Sequence, residues 1–225
     1  MKNCVIYGCG GHGRVVLDAC RAAGVAVIGW IDDQASIRGR VIDGVVGLGT
    51  LEDLPKLYRG NCVHCVLLGI GDNSTRMLAH ERLRQSVDGI GVLSVAHPSA
   101  TVSHDCILGP GAVVLAGSVV NPGCTVGEGC VINTRASLDH DSVLREFSSL
   151  GPGVTTGGEV VVGARSSICI GAILLERIRV GSDAVVGAGA VVVRDIPDGV
   201  VAYGVPARII RRRVRGEPFL ARGRD

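Results

Sequence analysis

The sequence predicts a small α/β unit followed by a parallel β-helix built from hexapeptide repeats. Three observations carry that expectation. Large aliphatic residues recur every six positions from Ile90 to Val192, in sixteen of eighteen steps and with no slip of phase. The position four after each of them is Ser, Ala or Cys in fourteen hexads, as at Ala112, Ser118 and Cys124. Upstream, Gly8-Cys9-Gly10-Gly11-His12-Gly13 has the form G-x-G-x-x-G and lies between an apolar run and a helical pattern. A period of six fits neither an α-helix nor an ordinary strand. It marks a coil in which three hexapeptides close one triangular turn, with the aliphatic inside and the small residue at the crowded corner.

The order of elements gives three regions: 1–89 as the α/β domain, 90–197 as the β-helix, and 198–225 as a cap and basic tail. Cys4–Gly8 reads as a strand, Val15–Ala23 as a helix stopped by Gly24, and Val25–Ile31 as a second strand ending in Asp32-Asp33. A glycine turn there lets a backbone approach phosphate, and the helix N-terminus offers unpaired N–H groups. Fewer than ninety residues leave room for only half a dinucleotide fold, so a mononucleotide fits better than NAD. Leu51–Tyr58 reads as a short helix, Cys62–Ile70 as a buried strand, and Thr75–Ser86 as a helix capped by Ser74. Gly71 and Asn73 follow that strand's C-terminal end, where open α/β sheets bind ligands.

Within the β-helix, residues eighteen apart stack one rung, about 4.8 Å, from each other. One such column is His104, Pro122, His140, Gly158, Glu176 and Arg194. It sets the imidazole of His140 beside a peptide amide that no side chain covers. A base for a nucleophile's proton and a donor for a developing oxyanion are what acyl transfer requires. Asp139 and Asp141 flank the ring and offer a carboxylate to fix its tautomer. A neighbouring column, Thr134, Pro152, Ile170 and Ala188, forms an apolar strip suited to an extended pantetheine arm. Pro197 and Gly204-Val205-Pro206-Ala207-Arg208 mark the chain's exit from the coils.

Composition narrows the classes further. The chain has 225 residues, 3 % aromatics and 34 glycines, as thin stacked coils require. Its apolar runs fall short of the roughly 20 residues of a membrane span, and no secretory leader is visible, so a cytoplasmic protein is expected. Nine cysteines, an odd number, are expected to be reduced; Cys106 and Cys124 should stack as buried thiols, and Cys62-Val63-His64-Cys65 lacks the second pair of a zinc site. No metal is expected, since His104 and His140 stand two rungs apart, about 9.6 Å. Seven arginines against Glu217 and Asp225 make residues 208–225 basic. A solvated tail is the expectation there, because no aromatic-interleaved basic face points to nucleic acid.

Taken together, these residues resemble the hexapeptide-repeat acyltransferases, in particular the sialic acid O-acetyltransferase and UDP-amino-sugar N-acetyltransferase group of the bacillosamine pathway. Gly10-Gly11-His12-Gly13, Trp30-Ile31-Asp32-Asp33, Ile70-Gly71-Asp72-Asn73, Asn133-Thr134 seven before His140, and Gly204-Val205-Pro206-Ala207-Arg208 carry the resemblance. It implies a left-handed β-helix, a homotrimer, acetyl-CoA between neighbouring β-helices, and a nucleotide-linked amino sugar on the N-terminal domain. It also implies His140 as general base, with Asp141 raising its basicity. Gly158, Ile170 and Ala188 would contact acetyl-CoA, with Asn133, Ser149 and Pro206 beside them. Gly10, Gly11, His12, Asp32 and Asp33 would hold the nucleotide sugar, with Gly71 and Asn73 nearby. The chain departs from the family at Ser149, often histidine there, and at Asp141, often glutamate. The expected reaction is direct attack of a sugar amine on the thioester. Acetylation of a sugar hydroxyl, a non-catalytic sugar-nucleotide scaffold, an NAD oxidoreductase and a carbonic-anhydrase-like metal enzyme are the alternatives.

Overall fold

The computed structural model describes residues 3–219. The chain opens with β1 (Cys4–Tyr7), α1 (Gly11–Ala22) and β2 (Val27–Ile31), then β3 (Val41–Ile42) and β4 (Val45–Gly49). Next come α2 (Leu54–Arg59), β5 (Cys65–Leu68), α3 (Asn73–Ser86) and β6 (Gly91–Val92). These strands form one sheet in the order β3-β4-β2-β1-β5-β6, with β2, β1 and β5 parallel. β1 and β5 are buried along their whole length, so apolar side chains occupy both of their faces. The hairpin of β3 and β4 turns at Asp43-Gly44, where both residues have positive φ (49° and 75°), as a tight two-residue turn demands.

Helix α1 begins at Gly11, four residues earlier than its apolar pattern. Gly10 precedes it in extended conformation with no side-chain cap, so the first amides stay available. Gly13 allows close packing of α1 on the sheet: a Cβ there would fall 2.1 Å from the Gly8 carbonyl oxygen. Helix α3 begins at Asn73 and is capped by Asp72, whose carboxylate accepts the Thr75 N–H at 2.9 Å. Ser74, expected as the cap, lies inside the helix with its Oγ buried and unbonded among the described residues.

Seventeen two-residue strands follow, β7 (Val95–Ala96) to β23 (Val191–Val192), each starting six residues after the last. Every third strand pairs in parallel, as Val113 with Val131 and Ser149 with Ser167, so registry is eighteen throughout. They make three flat sheets around one apolar interior, and the fold is a left-handed parallel β-helix. Ile90, first in the hexad series, packs instead in the α/β core, and Gly91–Val92 pairs with β5. At the far end β24 (Val200–Gly204) continues a β-helix sheet beside Val185–Val186, and β25 (Ala207–Arg212) pairs back antiparallel.

The corners reveal a second period of six. Fourteen successive positions from Gly111 to Gly189 have φ between 55° and 74°; seven are glycine, and the rest include Asp141 and Glu159. The small residue therefore sits just inside a left-handed corner rather than forming it. The β-helix docks through an outward face: Val113, Leu115 and Val131 share a core with Val16, Leu17 and Ala19 of α1. Each such Val or Leu side chain contributes about 1.5–3 kcal/mol on burial.

Two cysteine expectations change. Cys4 and Cys65 are register partners on β1 and β5, and a disulfide joins them with Cα atoms 4.7 Å apart. Parallel pairing brought together two sulfurs sixty-one residues apart; Cys106 and Cys124 remain thiols. The second concerns Cys62, which is exposed rather than packed in a strand.

Candidate active site

His140 is the last residue before a left-handed corner at Asp141 (φ 55°). That turn brings the Asp141 carboxylate back to its neighbour, and Oδ2 lies 2.9 Å from His140 Nδ1. Asp139, the other candidate, is engaged elsewhere: its Oδ1 accepts Asn121 Nδ2–H at 2.6 Å and the His140 N–H at 2.8 Å. The hydrogen bond to Asp141 raises the His140 pKa above its ordinary value, helped by the charges of Asp139 and Glu159. With Nδ1–H donated to Asp141, Nε2 keeps a lone pair for a proton.

Gly158 stands one rung from His140, against the ring. A Cβ on Gly158 would lie 2.4 Å from His140 Nε2, so only glycine leaves the imidazole its place. The Gly158 N–H has no hydrogen-bond partner among the described residues. Below the dyad, Gly123 does the same for Asp141, whose Oδ1 would meet a Cβ there at 2.4 Å. The cleft around His140 measures 410 Å³ and includes Glu159, Glu176 and Arg177. A proton acceptor and an open amide donor thus share one edge of the coil.

A second cavity, of 550 Å³, lies between the α/β unit and the β-helix. Gly11, His12 and Gly71 enter it from one side; Asn133, Ser149 and Ile170 enter from the other. Of the residues expected to bind ligands, these six are brought together. His12 turns its Nε2 into a buried position with no partner among the described residues. Burial and, secondarily, the Arg76 charge lower its pKa to about 4, so the ring stays neutral and ready to hydrogen-bond a ligand.

Other expected site residues have different tasks. Asn73 is buried, not open to substrate: its amide donates to Ser149 Oγ (3.1 Å), Ser167 Oγ (2.8 Å) and the Ser166 carbonyl (3.0 Å). It pins α3 to the β-helix. Asp32 holds the glycine loop, accepting the Cys9 N–H at 3.0 Å. Asp33 accepts Tyr7 O–H at 2.6 Å and pairs with Arg82 at 2.8 Å. Gly10 caps α1 outside the cavity wall, and Ala188 and Pro206 lie exposed beyond Ile170.

Two residues escaped the sequence reading. Arg76 is fully buried and uses its guanidinium on the carbonyls of Ile70, Gly71, Gly129 and Phe147 and on Asn73 Oδ1. Its only sequence signal was a charge on the inner face of α3. Phe219, in the stretch expected to be solvated, lines the second cavity. Arg213 in that stretch is buried too; residues 220–225 of the tail lie outside the described residues.

Among the described residues no helix is long and apolar enough to cross a membrane, and no three His, Cys, Asp or Glu cluster as metal ligands.

Comparison with known proteins adds an independent line. Residues 3–83 match the family described as the PglD N-terminal domain. A UDP-N-acetylbacillosamine N-acetyltransferase of Bacillus subtilis (strain 168) is 34% identical over 119 residues. That match spans about half of each protein, 52% of this chain and 52% of the relative. GDP-perosamine N-acetyltransferase of Caulobacter crescentus, solved with CoA and GDP-perosamine and one histidine replaced by alanine, superposes with a TM-score of 0.88. It is 38% identical, covering 94% of this chain and 98% of that one. The acetyltransferase domain of PglB from Neisseria gonorrhoeae FA1090, with acetyl coenzyme A, gives 0.86 at 34% identity over 93% and 99%. Coil registry, glycine loop and near end-to-end superposition agree, and the chain belongs to the hexapeptide-repeat acyltransferases of the nucleotide-sugar N-acetyltransferase family.

Proposed function

We propose that this protein transfers an acetyl group from acetyl-CoA to the amino group of a nucleotide-linked amino sugar. The observation that carries the reading is the His140–Asp141 pair set against the unpartnered Gly158 amide. The sugar amine attacks the thioester carbonyl. His140 Nε2 accepts the amine's proton while Asp141 holds the imidazolium that forms. The Gly158 N–H receives the negative charge building on the carbonyl oxygen, and the C–S bond breaks to release CoA. No acyl-enzyme is required, since no cysteine lines the His140 cleft.

Support for the substrates comes from the second cavity. Free amides at the start of α1 suit a diphosphate, and the neutral His12 suits a sugar or phosphate oxygen. The apolar side at Pro152 and Ile170 suits pantetheine. The two half-sites lie in separate clefts of one chain, and a second copy bringing its His140 edge to the 550 Å³ cavity would join them. We take the working form to be a cytoplasmic homotrimer, in which neighbours also cover Ile170, Ile173 and Leu175, each exposed here.

The test is direct. Purified protein is incubated with acetyl-CoA and UDP-, dTDP- and GDP-linked 4-amino sugars, and free CoA is followed. CoA release with one acceptor, lost roughly 10²–10⁴-fold in His140→Ala, is the expected result. Full activity of His140→Ala as an intact oligomer would overturn the mechanism. Release only with hydroxyl acceptors would replace N- by O-acetylation.

A further inference from the structure

The chain does not end at its last strand. After β25 it turns back across the β-helix toward the α/β unit and is fastened at several points. Arg213, buried, takes the Gly199 carbonyl on its main-chain N–H, and its guanidinium donates to the Asp183 carbonyl at 3.0 Å. Arg211 pairs with Glu217 at 2.5 Å, and Glu217 also accepts the Val214 N–H at 3.3 Å. The Phe219 N–H then donates to Asp72 Oδ2 at 3.2 Å, joining the segment to the capping residue of α3. An aromatic ring is thereby delivered to the 550 Å³ cavity.

That ring is not used to build the fold. Phe147, the chain's other phenylalanine, packs in the α/β core and lies 5.4 Å, centroid to centroid, from His80. Phe219 belongs to none of the three apolar cores of the described residues and is only half-buried. The cavity it shares with Gly11, His12 and Gly71 contains no other aromatic side chain apart from His12 itself. A half-buried apolar ring lining this cavity, beside the uncapped start of α1, fits the carbon skeleton of a hexose. Aromatic rings pack on the C–H face of a pyranose through dispersion and area burial.

We propose that Phe219 is a specificity-determining residue that packs on the sugar ring of the acceptor, held in place by the C-terminal segment. The inference rests on the nucleotide-sugar reading of this cavity. Its test is a binding measurement, so it stands apart from catalysis. Calorimetric titrations of full-length wild type and Phe219→Ala use three probes: the 4-amino-sugar nucleotide bound most tightly from the panel above, the matching nucleoside diphosphate, and acetyl-CoA. The expected result is an approximately tenfold weaker affinity for the sugar nucleotide, with the other two unchanged within twofold and Phe219→Tyr close to wild type. Equal weakening for the diphosphate, weakening for acetyl-CoA, or no change with any probe would each overturn it. Failure of the acetylation reading is seen separately, as wild type that binds these probes and releases no CoA.

Discussion

The imidazole of His140 rests on the backbone of Gly158, so closely that a single methyl group at Gly158 would stand 2.4 Å from Nε2. Both face the same cleft from consecutive rungs, a separation fixed by strand pairing rather than by loops. Gly158→Ala should therefore keep its coils and lose its chemistry. We expect unchanged thermal melting within a few degrees and a fall in kcat of roughly a hundredfold, because the methyl displaces the base. Near-normal turnover of this variant would remove the close seating of the ring on Gly158 from the mechanism, since alanine keeps the main-chain N–H.

Asp141 supplies the main cause of the raised His140 pKa. A general base works only unprotonated, so activity falls as pH drops through that pKa. Asp141→Asn removes the negative charge and exchanges a carboxylate for a weaker amide acceptor, which brings the pKa back down. The acidic limb of kcat/KM should move to lower pH while the maximum falls. A limb that stays put would mean another group titrates there.

Gly123 gives the Asp141 carboxylate its space, at φ 74°. In Gly123→Ala the new methyl displaces the carboxylate, and the corner pays about 1–2 kcal/mol for a side chain in the left-handed region. Gly123→Asn tolerates that backbone better but still crowds Asp141. Both variants should shift the acidic limb in the Asp141→Asn direction, measured on protein shown folded by circular dichroism. Backbone strain alone would not move a pH profile.

Arg76 closes the joint between α3 and two β-helix corners, at Gly129 and Phe147. Replacement by Met leaves several buried carbonyls without donors, at a cost of about 3–5 kcal/mol. Chemical denaturation should show that loss directly. His12 would then regain part of its basicity, because the Arg76 charge contributes to its lowered pKa. A neutral change in stability would show that these carbonyls find other partners.

Much of this was legible residue by residue. The phase from Val102 to Val192 predicted strand registry, and the step from His140 to Gly158 predicted their contact. The choice between Asp139 and Asp141 was not legible. It turned on a left-handed corner that aims one carboxylate at Nδ1 and leaves the other to Asn121. Asn73 read as a ligand residue because it follows a strand, yet the docked β-helix buries it. Cys4 and Cys65 gave no pairing signal, since adjacency across β1 and β5 is a property of the sheet.

Periodicity alone determined the coils, their registry and the place of the imidazole beside a bare amide, because stacking at eighteen residues is a local repeat that every rung enforces. Only the tertiary structure decided which side chains meet across distant segments: Arg76 with Gly129, Asn73 with Ser149, Phe219 with the cavity. Those contacts depend on how the α/β unit seats on one β-helix face and how the C-terminal segment returns. Such docking arises from the summed burial of many apolar side chains, and no short spacing in the chain encodes it.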